Sequence, residues 1–188
     1  DELRPVTASE VMSLLSSIPS KQCILDPIPT WLLKRVSGVL SPVIASMCNA
    51  SFVQHSFPHM HKKALVRPLL KKPTLDPSDL ASYRPISNLT FVSKILERLT
   101  SRRLLAHTDK NDLLPISQSA YRSNHSAETA LVRVHNDIVS AIDQGDVCAL
   151  VLLDLSSAFE TVDHPILIII LHERFGIDGE ALDWMVSY

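Results

Sequence analysis

Val147-Cys148-Ala149-Leu150-Val151-Leu152-Leu153-Asp154 is the stretch that orients the reading of this chain. Seven consecutive apolar residues run into a carboxylate. The run falls well short of the roughly 20 residues a membrane-spanning helix needs. Its unbroken apolar character is that of a central strand covered on both faces. A carboxylate leaving the end of such a strand is held rigidly at a sheet edge, where a divalent cation site is best preorganised. A hard ion such as Mg²⁺ takes carboxylate, backbone carbonyl and substrate phosphate oxygens, and Asp154 supplies part of that shell. The competing reading is that Asp154 merely caps the turn that follows.

Working outward, His164-Pro165 opens a helix that Gly176 closes, with Asp163 as N-cap. An amphipathic segment through Ala181, Leu182, Trp184 and Met185 follows. Upstream, a helix from near Ser126 ends before Gly145, with Leu131, Val134, Ile138, Val139 and Ile142 as its expected buried stripe. Residues 113–124 read as irregular. Before them, a long amphipathic helix over about 89–107 turns Leu89, Val92, Ile95, Leu96 and Leu99 to a core. Lys94, Arg98, Arg102 and Arg103 lie elsewhere on its surface. Tyr83 to Asn88 is extended, residues 73–82 form a loop, and Ala64 to Leu70 read as a strand that Pro68 confines to an edge or terminus. Thr7-Ala8-Ser9-Glu10 is a capping box for a first helix. Asp26-Pro27-Ile28-Pro29 is a rigid turn before a short helix from Thr30. Ser41-Pro42 is expected to start a helix reaching His55, with proline in its first turn. Trp31 and Trp184 are expected in the core, and for Tyr83 and Tyr121 plain packing is the competing reading.

Composition bounds the rest. With 188 residues, 46% hydrophobic and 20% charged, the chain holds one domain or slightly more and is not disordered. The first residues carry no basic stretch followed by an apolar segment, and three cysteines show no paired spacing. A soluble protein of a reducing, intracellular compartment (cytoplasm or nucleus) is expected. Net charge is −2, yet residues 59–110 carry eleven Lys and Arg against four Asp and Glu. That basic middle is either a solvated face or a surface turned to a polyanion. His55, His59 and His61 with Cys48 form no closed ligand set for zinc.

Asp154 to His164 (Asp-Leu-Ser-Ser-Ala-Phe-Glu-Thr-Val-Asp-His) resembles the first palm motif of LINE-type non-LTR retrotransposon reverse transcriptases. Pro68-Leu69-Leu70-Lys71-Lys72-Pro73 and Tyr83-Arg84-Pro85-Ile86-Ser87-Asn88-Leu89 resemble that family's fingers motifs. Gln118-Ser119-Ala120-Tyr121-Arg122, with Ser126, Glu128, Thr129, Ala130 and Leu131, is similar to its next block. Asp26 to Lys34 resembles the extension before the fingers. Five motifs in order over residues 26–188 make the resemblance specific. Glu160 and Ala127 depart from the pattern, where Asp and Thr are usual.

The resemblance implies an α+β fold: right-hand polymerase fingers and a partial palm, mostly helical with a few strands. Residues 1–60 would be a helical N-terminal extension, 61–146 the fingers and 147–188 the start of a palm. The implied activity is RNA-directed DNA synthesis, adding dNTPs to a DNA primer on an RNA template with two Mg²⁺ ions. Asp154 takes the place of the first catalytic aspartate and metal ligand, with the Leu155 carbonyl on the nucleotide-side metal. Phe159 matches the aromatic gate beneath the incoming sugar. Lys71 and Arg84 match the residues that grip the triphosphate, which suits a point charge and a bidentate fork. Gln118 and Arg122 resemble residues near the template and nascent base pair. No membrane partner and no obligate protein partner is implied. The family's second carboxylate pair is an Asp-Asp, which occurs nowhere in this sequence. By themselves these residues are therefore expected not to polymerise. The alternative is a non-catalytic nucleic-acid-binding remnant of such a domain.

Overall fold

The computed structural model describes residues 2–20, 23–155 and 158–188. About half of the chain is helical, joined by one two-stranded antiparallel sheet. The helices are α1 (Ala8–Ser17), α2 (Thr30–Arg35), α3 (Ser37–Val53), α4 (Phe91–Lys110), α5 (Ala127–Asp143), α6 (His164–Glu173) and α7 (Gly179–Ser187). The strands are β1 (Ala64–Leu70) and β2 (Tyr83–Leu89). Among the described residues, no helix is long and apolar enough to cross a membrane. The chain divides into two compact units: the first is Asp1–His107 with Ile168–Tyr188, and the second is Thr108–Leu167.

The first unit holds the core. In α1 the Thr7 hydroxyl accepts from the Glu10 N–H at 3.2 Å, and Glu10 Oε2 accepts from the Thr7 N–H at 3.0 Å, completing the expected capping box. The helix then buries Val11, Leu14 and Leu15 within the cluster to which α3 contributes Ile44, Ala45, Cys48 and Phe52. Helix α3 corrects the sequence reading, because it starts at Ser37 and carries Pro42 inside it. Pro42 removes one backbone donor, and the carbonyl deprived of it belongs to Gly38, which is exposed and open to water. One residue earlier, the Ser41 hydroxyl donates to the Ser37 carbonyl at 2.7 Å. Val43 is 63% exposed, since the buried face runs through Ser41, Ile44, Ala45, Cys48, Ser51 and Phe52.

Trp184 on α7 is buried as expected, edge-on to Phe52 and Phe57 at 5.9 and 5.6 Å. Its indole N–H donates to Ser51 Oγ at 2.9 Å. Trp31 is the opposite case: in the first turn of α2 it is 56% exposed, so its expected core role is corrected. Its six-residue helix buries Thr30 instead.

Strands β1 and β2 pair from Ala64↔Leu89 to Leu70↔Tyr83. Pro68 faces Pro85, so both missing N–H groups fall on one rung of a sheet made only of edges. Helix α4 follows, and its first N–H, at Phe91, donates to Asp26 Oδ1 at 2.7 Å. The Asp-Pro-Ile-Pro turn therefore anchors the start of α4. Ile95, Leu96 and Leu99 are fully buried.

Arg103 is not on the outer surface of α4, as its charge suggested. It donates to the carbonyls of Arg4 at 2.6 Å and Pro5 at 3.0 Å, pairs with Glu10 at 3.4 Å, and lies 5.6 Å from the Phe52 ring centroid. The side chain satisfies its fork inside the unit while its stem covers apolar surface.

The second unit keeps the predicted local signals but not the predicted burial. Ser126 and Thr129 form a reciprocal capping box on α5, and Gly145 ends the helix at φ +84°. Asp163 caps α6, accepting from the Ile166 N–H at 3.0 Å. Yet the α5 stripe is not buried: Leu131 is 68% and Ile142 59% exposed. Val147 to Leu153 forms no strand, and its ends, Val147 and Leu153, are 99% and 92% exposed. A strand needs N–H and C=O partners on a neighbouring strand. Among the described residues the two strands bond only to each other, so the apolar run has no such neighbour.

Candidate nucleotide and nucleic-acid site

The sequence-derived site residues fall into the two units, Lys71 and Arg84 in the first and the other five in the second. Lys71 directly follows β1. Its N–H donates to the Ser82 carbonyl at 2.8 Å and its ammonium to the Ala81 carbonyl at 2.7 Å. Arg84 stands opposite Leu69 on β2, so the hairpin register brings both cations to the same end of the ladder. Both are exposed.

The loop between them is built by its acids. Asp76 Oδ1 accepts from the N–H and the hydroxyl of Ser78, both at 2.8 Å, and Asp79 Oδ1 accepts from the Ala81 N–H at 2.9 Å. The Ser78 bonds, backbone first, hold the Asp76 carboxyl below its ordinary value. Tyr83 closes the loop by donating its hydroxyl to the Pro77 carbonyl at 2.9 Å. These side chains thus define the turn beside Lys71 and Arg84.

In the second unit, Gln118 and Arg122 converge on one carbonyl. The Gln118 N–H and Arg122 Nη1 both donate to Pro115, at 2.9 and 3.2 Å. Arg122 also lies 3.8 Å from Asp112, and its side chain is 22% exposed. A polar recess around it is lined by Thr108, Asp109, Asp112, Ser123 and Asn124. Three non-glycine residues here adopt left-handed backbone: Asp112 (φ 49°), Tyr121 (φ 58°) and Asn124 (φ 61°). For a tyrosine this conformation is costly and is retained only where the surroundings enforce it. Tyr121 is 79% exposed, which goes against the packing reading and offers an aromatic face beside Arg122. Sequence reasoning could not see this, because no local pattern marks a tyrosine for positive φ.

Asp154 and Leu155 lie at the exposed end of the apolar run, and Phe159, in the turn after it, is 80% exposed. Ser156 and Ser157, within the Asp154–His164 stretch, lie outside the described residues. The rigid strand end expected to hold Asp154 is absent, for the reason that the run itself is unpaired. The Asp154 carboxylate and the Leu155 carbonyl are hard oxygen donors of the class a divalent cation takes. Among the described residues, no group of three His, Cys, Asp or Glu side chains gathers around a common point. These two positions are thus a partial ligand shell.

Two of the histidines weighed for zinc, His55 and His61, have other partners. His55 pairs with Glu180 at 3.1 Å, and the His61 ring meets the Thr90 hydroxyl at 3.2 Å. Burial pushes the Cys48 thiol up to about 11, so it is a core residue and not a metal-ready thiolate.

The model of the reverse transcriptase (RNA-dependent DNA polymerase) family matches residues 69–188, which include all seven site positions. This chain belongs to the reverse transcriptase family. Among its curated relatives, the probable RNA-directed DNA polymerase from transposon BS of Drosophila melanogaster is 30% identical over 88% of the chain. The RNA-directed DNA polymerase from mobile element jockey of the same fly is 30% identical over 87%. That from transposon X-element is 32% identical over 74%. The chain spans 18% of the length of the first two and 15% of the third. The resemblance to non-LTR retrotransposon reverse transcriptases thus holds over most of the sequence. The structure supports a mixed fold of helices and one small antiparallel sheet for this stretch of a reverse transcriptase.

Proposed function

We propose that this chain supplies the fingers and the opening of the palm of a non-LTR retrotransposon reverse transcriptase. The reading assigns residues 1–60 to an extension, 61–146 to the fingers and 147–188 to the palm. The whole protein would extend a DNA primer on an RNA template with dNTPs. The observation that carries this is the family match over residues 69–188, a range that includes the seven proposed site positions.

Within that reading Lys71 and Arg84 receive the triphosphate, a point charge and a planar fork from one end of a hairpin. Gln118 and Arg122 position template and nascent pair, with the Tyr121 ring as a stacking surface next to them. Phe159 packs under the incoming sugar and disfavours a 2′-hydroxyl. Asp154 and the Leu155 carbonyl would hold Mg²⁺. When bound, a pair of such ions activates the attacking hydroxyl and stabilises the leaving pyrophosphate.

A second reading keeps the cations and drops the chemistry. It is favoured by the partial ligand shell at Asp154, since binding RNA needs only Lys and Arg. Primer extension by the whole protein, on an RNA template with dNTPs and Mg²⁺, separates the two. Extension that Asp154→Ala abolishes, and that Lys71→Ala and Arg84→Ala reduce, supports the polymerase. Salt-sensitive RNA binding that Lys71→Ala and Arg84→Ala weaken, with no extension by any form, supports the binding module. Extension undiminished in Asp154→Ala overturns the assignment of the catalytic carboxylate.

A further inference from the structure

We propose that Lys94, Arg98 and Arg102 form a phosphate-binding stripe along α4 that tracks the backbone of a single RNA strand. The identity of this polyanion rests on the reading above; the stripe itself rests on geometry. The three residues recur every four positions, so they stay near one line on the helix at about 6 Å of rise per step. That line runs along the border of the face on which Ile95, Leu96 and Leu99 are fully buried, with Arg98 and Lys94 towards solvent and Arg102 next to Ile95 around the helix. Arg98 and Arg102 are exposed and Lys94 is half-buried.

The ion pairs found among the described residues involve none of the three. Arg103, one residue further on, shows the alternative fate of an arginine on this helix, with its fork spent on Arg4, Pro5 and Glu10. The acid beside the stripe, Glu97, accepts the Tyr188 hydroxyl at 2.8 Å. Like charges four residues apart weaken a helix. A polymer of evenly spaced anions relieves that repulsion, and guanidinium groups bind phosphate more strongly than neutral donors do. The stripe also begins five residues after β2, the strand that carries Arg84. It therefore extends the basic surface of the first unit beyond the triphosphate residues.

The test is binding of a labelled oligouridylate to the full 188-residue chain, followed by fluorescence anisotropy across a salt series. Each phosphate contact on a single strand contributes about 0.7 to the slope of log K against log salt. Lys94→Gln/Arg98→Gln/Arg102→Gln should flatten the slope by about 2, so that between roughly 50 and 200 mM salt the parent loses about twentyfold more affinity than the variant. Arg98→Gln alone, one exposed side chain, should remove about 0.7. The charge-keeping set Lys94→Arg/Arg98→Lys/Arg102→Lys should bind as the parent does.

An unchanged slope in both glutamine variants overturns the stripe. So does displacement of the RNA by polyglutamate at equal charge concentration, which would assign the surface to an acidic protein. Lys71→Ala/Arg84→Ala, assayed with dNTP as well as RNA, is the separating arm. If that pair weakens dNTP binding while the stripe variants keep the parent slope, the stripe fails and the polymerase reading stands. If the stripe variants flatten the slope while the pair alters neither ligand, the stripe stands and the triphosphate assignment fails.

Discussion

Helices α1 and α5 begin with the same device and end in different surroundings. Thr7 with Glu10, and Ser126 with Thr129, form reciprocal capping boxes. Both helices carry an apolar stripe at helical spacing. In the first unit that stripe becomes core: Val11, Leu14 and Leu15 are each no more than 1% exposed. In the second unit α5 buries no residue, and Leu131 and Val132 are each 68% exposed. Capping and periodicity decide that a helix exists, because its hydrogen bonds are internal to the segment. What its apolar side meets is decided by chain far away in sequence, and for most helices in proteins that packing supplies the stability.

The largest expected effect tests this contrast directly. Trp184→Ala should cost about 3–5 kcal/mol in guanidinium unfolding, since it empties a site lined by Phe52 and Phe57 and strands Ser51 Oγ without its indole donor. Leu153→Ala, a comparable loss of apolar atoms at a residue 92% exposed, should stay within about 0.5 kcal/mol. A large cost at Leu153 would break the comparison, because it would show the run packed in solution.

Arg103→Met comes next, at about 1–3 kcal/mol, because the backbone carbonyls of Arg4 and Pro5 lose a charged donor. Glu10→Gln should cost less, its carboxylate being partly exposed and its ion pair with Arg103 screened. A double-mutant cycle measures the coupling. A cost at Arg103 no larger than at Glu10 would show that the carbonyl contacts contribute nothing.

A sharper version uses the caps. Thr7→Ala should lower the stability of the first unit by about 1 kcal/mol. Ser126→Ala removes an equivalent cap from a helix without buried residues. Its effect should therefore be read in faster amide exchange along α5 and not in the unfolding midpoint of the first unit. An equal shift of that midpoint by both variants would mean that the two units unfold as one.

The same division explains what the sequence made legible. The Thr7–Glu10 capping box, the helix start near Ser126, the Asp163 N-cap, the Gly145 terminus, the β1–β2 hairpin and its loop all follow from neighbours within a few residues, and all are present. The family's motifs were legible for the same reason, since each is a short contiguous string. Pro42 inside α3 was missed because an exposed Gly38 carbonyl makes the lost bond tolerable, which no spacing reveals. Arg103 was read as a surface charge because its partners, Arg4 and Pro5, lie almost a hundred residues away. The run from Val147 to Leu153 was read as a strand from its composition. A strand also needs a neighbour, and hydrophobicity says nothing about where that neighbour is. Tyr121 at positive φ was invisible because nothing in a residue's type announces strain imposed on it.

The smallest expected effect separates two acid-sensitive contacts of the first unit. Burial holds His61 below its ordinary value of 6.5, with the nearby Asp26 carboxylate opposing the shift. The unfolded chain thus binds a proton that the folded chain resists, and stability falls as pH drops from about 7 towards 5. Glu10 is held below its ordinary value of 4.5, first by the Thr7 backbone bond and then by Arg103. Its stabilisation is present above that value and is lost only as pH falls through the lower folded value. Thermal melts at pH 7 and pH 5 should therefore show a midpoint drop that His61→Gln diminishes and Glu10→Gln leaves in place. Should Glu10→Gln be the variant that flattens this interval, the half-buried imidazole beside Thr90 would not be the sensitive group. The acid response would then belong to the N-terminal cap, the contact that α1 shares in kind with α5.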